Sequence, residues 1–352
     1  MSDRIASDQS VPSEVFDPEA PDAVPAASVE TPTADRHRRW RLIDLWATVG
    51  PLAVFIILFA LVSILRPAFL GGGGLSIVAT QCTAILLVAL GQCLVLNVGS
   101  IDLSNAAIAL FSAILLAKTI GPAGAGGLVL VVVLGAAIGA LNGFLVSFFQ
   151  VPSFALTLGT LGILQTASLI ISDKTTVYAA KSGLLTPMFG SAIGGLVSAF
   201  WTAVIIAIVL WAMLRFTTLG QSMTAVGLNE TGALFSGIRT RAMKIAAFMF
   251  SGLLASIAGI MIIAQAGSAS STGLGSDLLL PGITAAIVGG TAITGGITNP
   301  INVVFGALTV TLIPVGTAAI GIPSEAQSLV YGLVIIIAVA LTISRKRVGI
   351  VK

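Results

Sequence analysis

The sequence predicts an all-α polytopic membrane protein of about ten transmembrane helices, with an internal pseudo-repeat and interrupted helices, and three observations carry that prediction. Hydrophobic residues make up 56% of the 352 and charged ones only 9%, with a mean hydropathy of +1.07, so most of the chain is unsuited to water. Apolar runs recur that are long enough to cross roughly 30 Å of hydrocarbon at about 20 residues each. Between Asp44 and Ser344 there are only 14 Asp, Glu, Lys or Arg residues, and five of these (Arg215, Glu230, Arg239, Arg241 and Lys244) fall within one polar island at 215–244.

The chain opens on a different material. Residues 1–35 are rich in Pro, Ala and Ser and carry eight acidic side chains against one base, Arg4. Such a segment buries too little apolar surface to offset its ordering entropy. It lacks the basic start and apolar core of a signal peptide. Residues 1–41 therefore read as a retained, disordered acidic tail that ends in a basic anchor, Arg36 to Arg41, directly before the first apolar run. An anchor of this kind stays in the cytoplasm. It contains His37, the only histidine in the chain.

Residues 42–344 form the transmembrane region. Apolar runs and their breakers place spans near 43–65, 75–97, 102–119, 126–149, 152–171, 198–215, 242–266, 277–292, 299–320 and 326–344. Ten crossings bring the anchor, the island and the basic carboxyl tail at 345–352 (Arg345, Lys346, Arg347) to one side, as the positive-inside rule requires. Both termini and the loop 216–241 are then cytoplasmic, and the main loop on the opposite face is 172–197.

Two junctions differ from simple turns. After the second span the chain reads GQCLVLNVGSIDLSNAAIALF, and after the eighth GGTAITGGITNPINVVFGALT. Aligning Gly99-Ser-Ile101 with Gly295-Gly-Ile297 gives a small-residue break, then Ile, then a small-residue-rich apolar helix in both halves, at an offset of 196. Duplicated halves with interrupted helices are a usual construction for a translocation pathway. Asn97, Gly99, Asp102, Ser104, Gly295 and Gly296 are accordingly the pathway candidates. Asp102 has two readings: a carboxylate at a break faces a cavity or partner, or it caps the third span by accepting backbone N–H groups. Asp277, in a turn-rich lead into a helix, carries the same pair of readings. The 39 glycines let helices approach closely where no hydrophobic force draws them together. Cys82 and Cys93, in one apolar segment with no CxxC and no neighbouring His, read as small buried hydrophobes.

Several functions are excluded. The basic residues flank membrane spans instead of forming a patch interleaved with aromatics, so nucleic acid is not a partner. There is no GxxxxGK[ST] phosphate cradle and no GxGxxG after a strand. With no His among the spans, neither protease chemistry nor a metal centre has its usual groups, and no catalytic residue, metal or cofactor is expected. Any ATP-driven transport must draw on another subunit. A secondary carrier driven by protons or sodium stays as an alternative and not an exclusion; it would need titratable groups at mid-membrane, whereas Asp102, Lys118 and Asp277 lie near predicted span ends.

Five ordered blocks carry a family resemblance. GQCLVLNVGSIDLS (Gly91 to Ser104), QVPSFALTLGTLGI (Gln150 to Ile163), TTLGQSMTAVGLNETGALFSGI (Thr217 to Ile238), SGLLASIAGIMIIAQAGSAS (Ser251 to Ser270) and AAIVGGTAITGG (Ala285 to Gly296) resemble the permease subunit of ribose-type sugar ABC importers. The resemblance runs from about Leu75 to the carboxyl end and leaves out the acidic tail.

That resemblance implies a role for each matching residue. Gly227, Asn229, Glu230, Ala233, Ser236, Gly237 and Ile238 match the pattern G-x-N-E-x-x-A-x-x-S-G-I, which in such permeases forms the coupling helix that docks into the ATP-binding subunit. Physically, a short amphipathic helix begun near Asn229 and ended by Gly237 would seat Leu234 and Phe235 in a groove of a soluble partner. Gly99, Ile101, Asp102, Leu103 and Ser104 match G-x-I-D-L-S, with Ser100 where a second Gly is common. The implied partners are an ABC ATP-binding subunit, a periplasmic solute-binding protein over 172–197, and a second permease copy or a homologous permease. The implied setting is the bacterial inner membrane, and the implied cargo is a ribose-like pentose, hexose or related polyol. Branched-chain amino acids are the alternative cargo, from permeases that share the architecture more distantly.

Overall fold

The computed structural model describes residues 34–70, 73–190, 192–271 and 276–323, with isolated positions at 326, 329, 332, 333, 336 and 337, and side chains from residue 49 onward. Residues 1–33, the expected carboxyl tail 345–352 and almost all of the expected span 326–344 lie outside that description. The chain divides at Arg41–Leu42 into two units. Of the first unit, residues 34–41, which hold the basic anchor, are helical. From Ala34 to Gly50 no Pro or Gly interrupts the chain, and its Ala and Arg are good helix formers.

The second unit is helical because, in hydrocarbon, a helix satisfies every backbone polar group within its own segment. The helices of the described residues are α1 (Ala34–Leu65), α2 (Gly74–Asn97), α3 (Asn105–Ala123), α4 (Ala125–Phe149), α5 (Ser153–Ile171), α6 (Thr186–Gly190), α7 (Ser198–Phe216), α8 (Thr218–Leu228), α9 (Glu230–Phe235), α10 (Thr240–Ala266), α11 (Leu279–Val288) and α12 (Pro300–Ala319). Among the described residues seven of these, α2 to α5, α7, α10 and α12, are long and apolar enough to span a membrane, and Val49–Leu65 and α11 are shorter apolar helices. The sequence-predicted spans agree with them to within a few residues. There are two exceptions. The span expected at 102 begins at Asn105, because 98–104 are used to turn the chain. The span expected at 277–292 contracts to the ten residues of α11, because Gly289 and Gly290 end it.

α10 lies at the centre and packs on α2, α3 and α4. Its seam with α4 is made of glycine: a Cβ on Gly139 would strike the Phe248 carbonyl, and one on Gly252 would strike the Gly135 carbonyl. Backbones thus meet directly, the packing that small residues give in membranes.

Among the described residues, four two-residue strands close the end reached by the carboxyl terminus of α5. β1 (Val177–Tyr178) pairs antiparallel with β4 (Ser268–Ala269), tying the 172–197 loop to the end of α10. β2 (Ala192–Ile193) and β3 (Leu196–Val197) form a hairpin across Gly194 and Gly195, whose φ values of +61° and +80° suit the primed turn of a two-residue loop. The indole of Trp201 donates to the Ile193 carbonyl at 2.9 Å and anchors the hairpin to α7.

Candidate functional site

At the opposite end, where α5 begins, the two breaks and the polar island converge. α2 stops at a Schellman motif: Gly99, at φ +72°, donates to Leu96 O and Ser100 donates to Val95 O. α11 stops the same way, with Gly290 at φ +85° donating to Ile287 O and Thr291 to Ala286 O. The structural counterpart of Gly99 is therefore Gly290, and the alignment of Gly99 with Gly295 is corrected. The second break is longer, running from Gly289 to the Asn299 cap of α12, and sequence letters matched its end instead of its start. Only Gly99 needs a positive φ in the first break, so Ser100 costs nothing there.

The breaks touch each other. The Gly296 N–H donates to the Asn97 carbonyl at 2.9 Å. Gly227, at the end of α8, fills the remaining corner: a Cβ there would collide with the Asn97 carbonyl and the Gly296 nitrogen. One on Gly295 would lie 2.7 Å from the Gly227 carbonyl oxygen. Three backbones thus cross at van der Waals distance, and the Asn97 amide adds a bond to Thr224 of α8 at 3.1 Å.

Asp102 lies inside the protein, with 0% of its surface exposed. Its Oδ1 accepts from the Ser104 N–H at 2.9 Å and the Ser104 hydroxyl at 2.6 Å, and its Oδ2 accepts from Ser251 of α10 at 2.8 Å. The chain of bonds continues as Asn142 of α4 donates to Ser104 Oγ and Thr160 of α5 donates to Asn142 Oδ1. The backbone N–H groups of Ile101 and Leu103 donate to Ser153 and Thr157 on one face of α5. Helices α4, α5, α8 and α10 each supply a partner to the polar groups at the first break, while Asn97 Oδ1 and Asn105 Oδ1 are buried without one. Sequence reasoning missed Asn142, Ser153, Thr157, Thr160 and Ser251. The available signal was hydroxyls four apart on an apolar helix, as at 153 and 157. Asn97, Asp102 and Ser104 are all sealed within the single chain, while Gly99, Ser100 and Ile101 line a groove of about 380 Å³ that Lys244 also borders.

The island folds as α8 and α9 and rests on a small core of Val98, Met223, Val226, Ala233 and Ala247. Each motif residue builds that projection. Asn229 caps α9 by accepting from the Gly232 N–H at 2.9 Å. Both oxygens of Glu230 lie 2.7 Å from Lys244 Nζ. Ala233 is buried on the seat, and the Ser236 hydroxyl donates to the Gly232 carbonyl. Gly237, at φ +81°, ends the helix in a third Schellman motif as Ile238 N–H returns to Ala233 O. What faces outward is Leu234 and Phe235, 58% and 86% exposed. Arg241 sits over the Phe148 ring at 5.7 Å beside this projection.

Residues 74–339 match the family described as branched-chain amino acid transport system / permease component. The chain is 32% identical to the D-allose transport system permease protein AlsC of Escherichia coli over 88% of its length and 95% of that protein. It is 32% identical to the ribose import permease protein RbsC of Bacillus subtilis, covering 83% and 92%. It is 27% identical to the L-arabinose ABC transporter permease protein AraH of Azospirillum brasilense, covering 93% and 95%. No solved structure matches.

Proposed function

Because this chain belongs to the family of branched-chain amino acid transport system permease components, we propose that it is the membrane-spanning subunit of an ATP-driven importer carrying a simple sugar into the cell. The observation that carries the reading is α9, a capped helix held rigidly at its base and presenting Leu234 and Phe235 to the outside. An apolar pair on a short rigid helix suits a groove on a soluble partner, here the ATP-binding subunit. The sugar class rests on relatives that carry allose, ribose and arabinose in their names, similar over most of both chains. They favour a pentose, hexose or polyol over a branched-chain amino acid.

In this reading the chain sits in the bacterial inner membrane with both termini cytoplasmic, and a second copy completes the pathway. A solute-binding protein docks at the β1–β4 end. ATP-driven closure draws the two α9 helices together, and the Gly227 crossing passes that movement to the ends of α2 and α11. Asp102, already bonded to Ser104 and Ser251, serves the architecture and gives no support to an ion-coupled carrier.

The test is co-purification of the detergent-solubilised complex, followed by ATPase assay and by uptake of labelled D-ribose, D-allose, L-arabinose and L-leucine. Phe235→Ala should leave the thermal midpoint of the permease unchanged and remove most of the bound ATPase. Retention of the ATPase by Phe235→Ala would move docking off α9. Uptake of leucine and no sugar would replace the sugar assignment.

A further inference from the structure

Lys244 and Ser251 lie seven residues apart on α10, two helical turns, and so point from the same face with about 10 Å between them. Lys244 holds Glu230, the first residue of α9, by both carboxylate oxygens at 2.7 Å, and Ser251 donates to Asp102 of the first break at 2.8 Å. The Lys244 side chain is 15% exposed and that of Glu230 48%, so the pair is rooted in the protein at its lysine and open to water at its carboxylate. One face of one helix is therefore bonded at its lower end to the projection and, two turns up, to the break.

We infer that Lys244 and Ser251 are positioning residues that make α10 a relay, transmitting displacement of α9 to the Asp102 segment. The inference rests on the importer reading and adds to it a second route beside the Gly227 crossing. It also gives Glu230 a partner within its own chain, beside the coupling role that the motif implies. The α10–α4 seam suits such a part. At Gly139 and Gly252 the backbones meet directly, while Phe248 of α10 packs its side chain on Val146 of α4, so the two helices are in close register and a small sliding of α10 would be felt along the seam. The bonded ends make the displacement common to both sites, which is what coupling between them requires.

The experiment uses the intact complex with its ATPase, comparing wild type, Lys244→Gln, Ser251→Ala and the exchanged pair Glu230→Lys/Lys244→Glu. Hydrogen exchange of residues 97–104 is followed with and without a non-hydrolysable ATP analogue, alongside transport per ATP hydrolysed. In wild type, nucleotide should alter protection at 97–104. In Lys244→Gln and Ser251→Ala the ATPase should remain bound and active while that response disappears and the transport ratio falls roughly fivefold or more, the lower range of typical site-to-site coupling. The exchanged pair should recover the response, which a purely structural role for Lys244 would not predict. A wild-type response in Lys244→Gln with the ATPase bound would overturn the relay alone. Absence of any ATPase from the wild-type complex would overturn the importer reading and the relay with it.

Discussion

The two ends of the helix layer, about 28 Å apart along the 19 residues of α5, are built to opposite rules. At the island end, Gly227 and Gly295 face the backbones of their neighbours and Gly296 lies against Leu228, so no side chain can be added without displacing what is already there. At the hairpin end, Gly183, Gly194 and Gly195 have no atom within 4 Å of an added Cβ, and Tyr178 and Ile193 stand largely exposed. The first end is held by polar bonds threading α3, α4, α5 and α10, the second by two-residue ladders. Under the proposed function, force from a docked partner enters the broken helices at the first end, where stiffness serves it. The other face would only receive and release a cargo, and can be compliant.

The largest expected effect comes from adding one methyl at the crossing. Gly227→Ala places a Cβ onto the Asn97 carbonyl and the Gly296 amide, and neither is the free end of a flexible side chain. Overpacking of this kind costs about 1–3 kcal/mol or more. Thermal unfolding in detergent should show a clear drop, and uptake should fall even in cells where the protein still inserts. Wild-type stability and uptake in this variant would mean that the two ends are not so different.

Asp102 sharpens the same contrast by chemistry instead of volume. Asp102→Ala leaves the Ser104 and Ser251 hydroxyls and the Ser104 N–H without their acceptor, and each orphaned buried donor costs about 1–3 kcal/mol. Asp102→Asn keeps one carbonyl acceptor and should lose distinctly less. Comparing their thermal midpoints tests whether the carboxylate is an architectural hub. If the two variants unfold alike, and alike with wild type, the network is not carrying the break.

How legible this was from sequence divides along the same line. The spans and the island could be read, because apolar length and charge segregation are properties of single segments; so could the limits of α9, because Asn229 and Gly237 act on their own backbone. The crossing could not, since it joins residues 97, 227 and 296, and no local pattern marks which glycine faces another backbone. The pairing of breaks was misaligned for a related reason: the GGI letters at 295–297 resemble GSI at 99–101, yet the helix-ending geometry belongs to Gly290. The outward pair Leu234 and Phe235 could be read as well, from its place on a short helix between Asn229 and Gly237. The motif residues mostly shape that helix, and the pair between them is what it displays.

The smallest expected effect lies at the compliant end. Gly194→Ala and Gly195→Ala each force a residue with a Cβ to adopt a positive φ, at roughly 1–2 kcal/mol of local cost, but the added methyl meets nothing. Trp201 of α7 donates to the hairpin at Ile193 while β3 packs on α2, and the exposed turn at Gly194 and Gly195 lies beyond both, so loosening that turn need not propagate to the crossing. Faster hydrogen exchange confined to about residues 192–197, with unchanged ATPase coupling, is the expected result. If either variant instead uncouples ATP hydrolysis from uptake, the far end takes part in the stroke itself, and stiffness at the island end is only half of the mechanism.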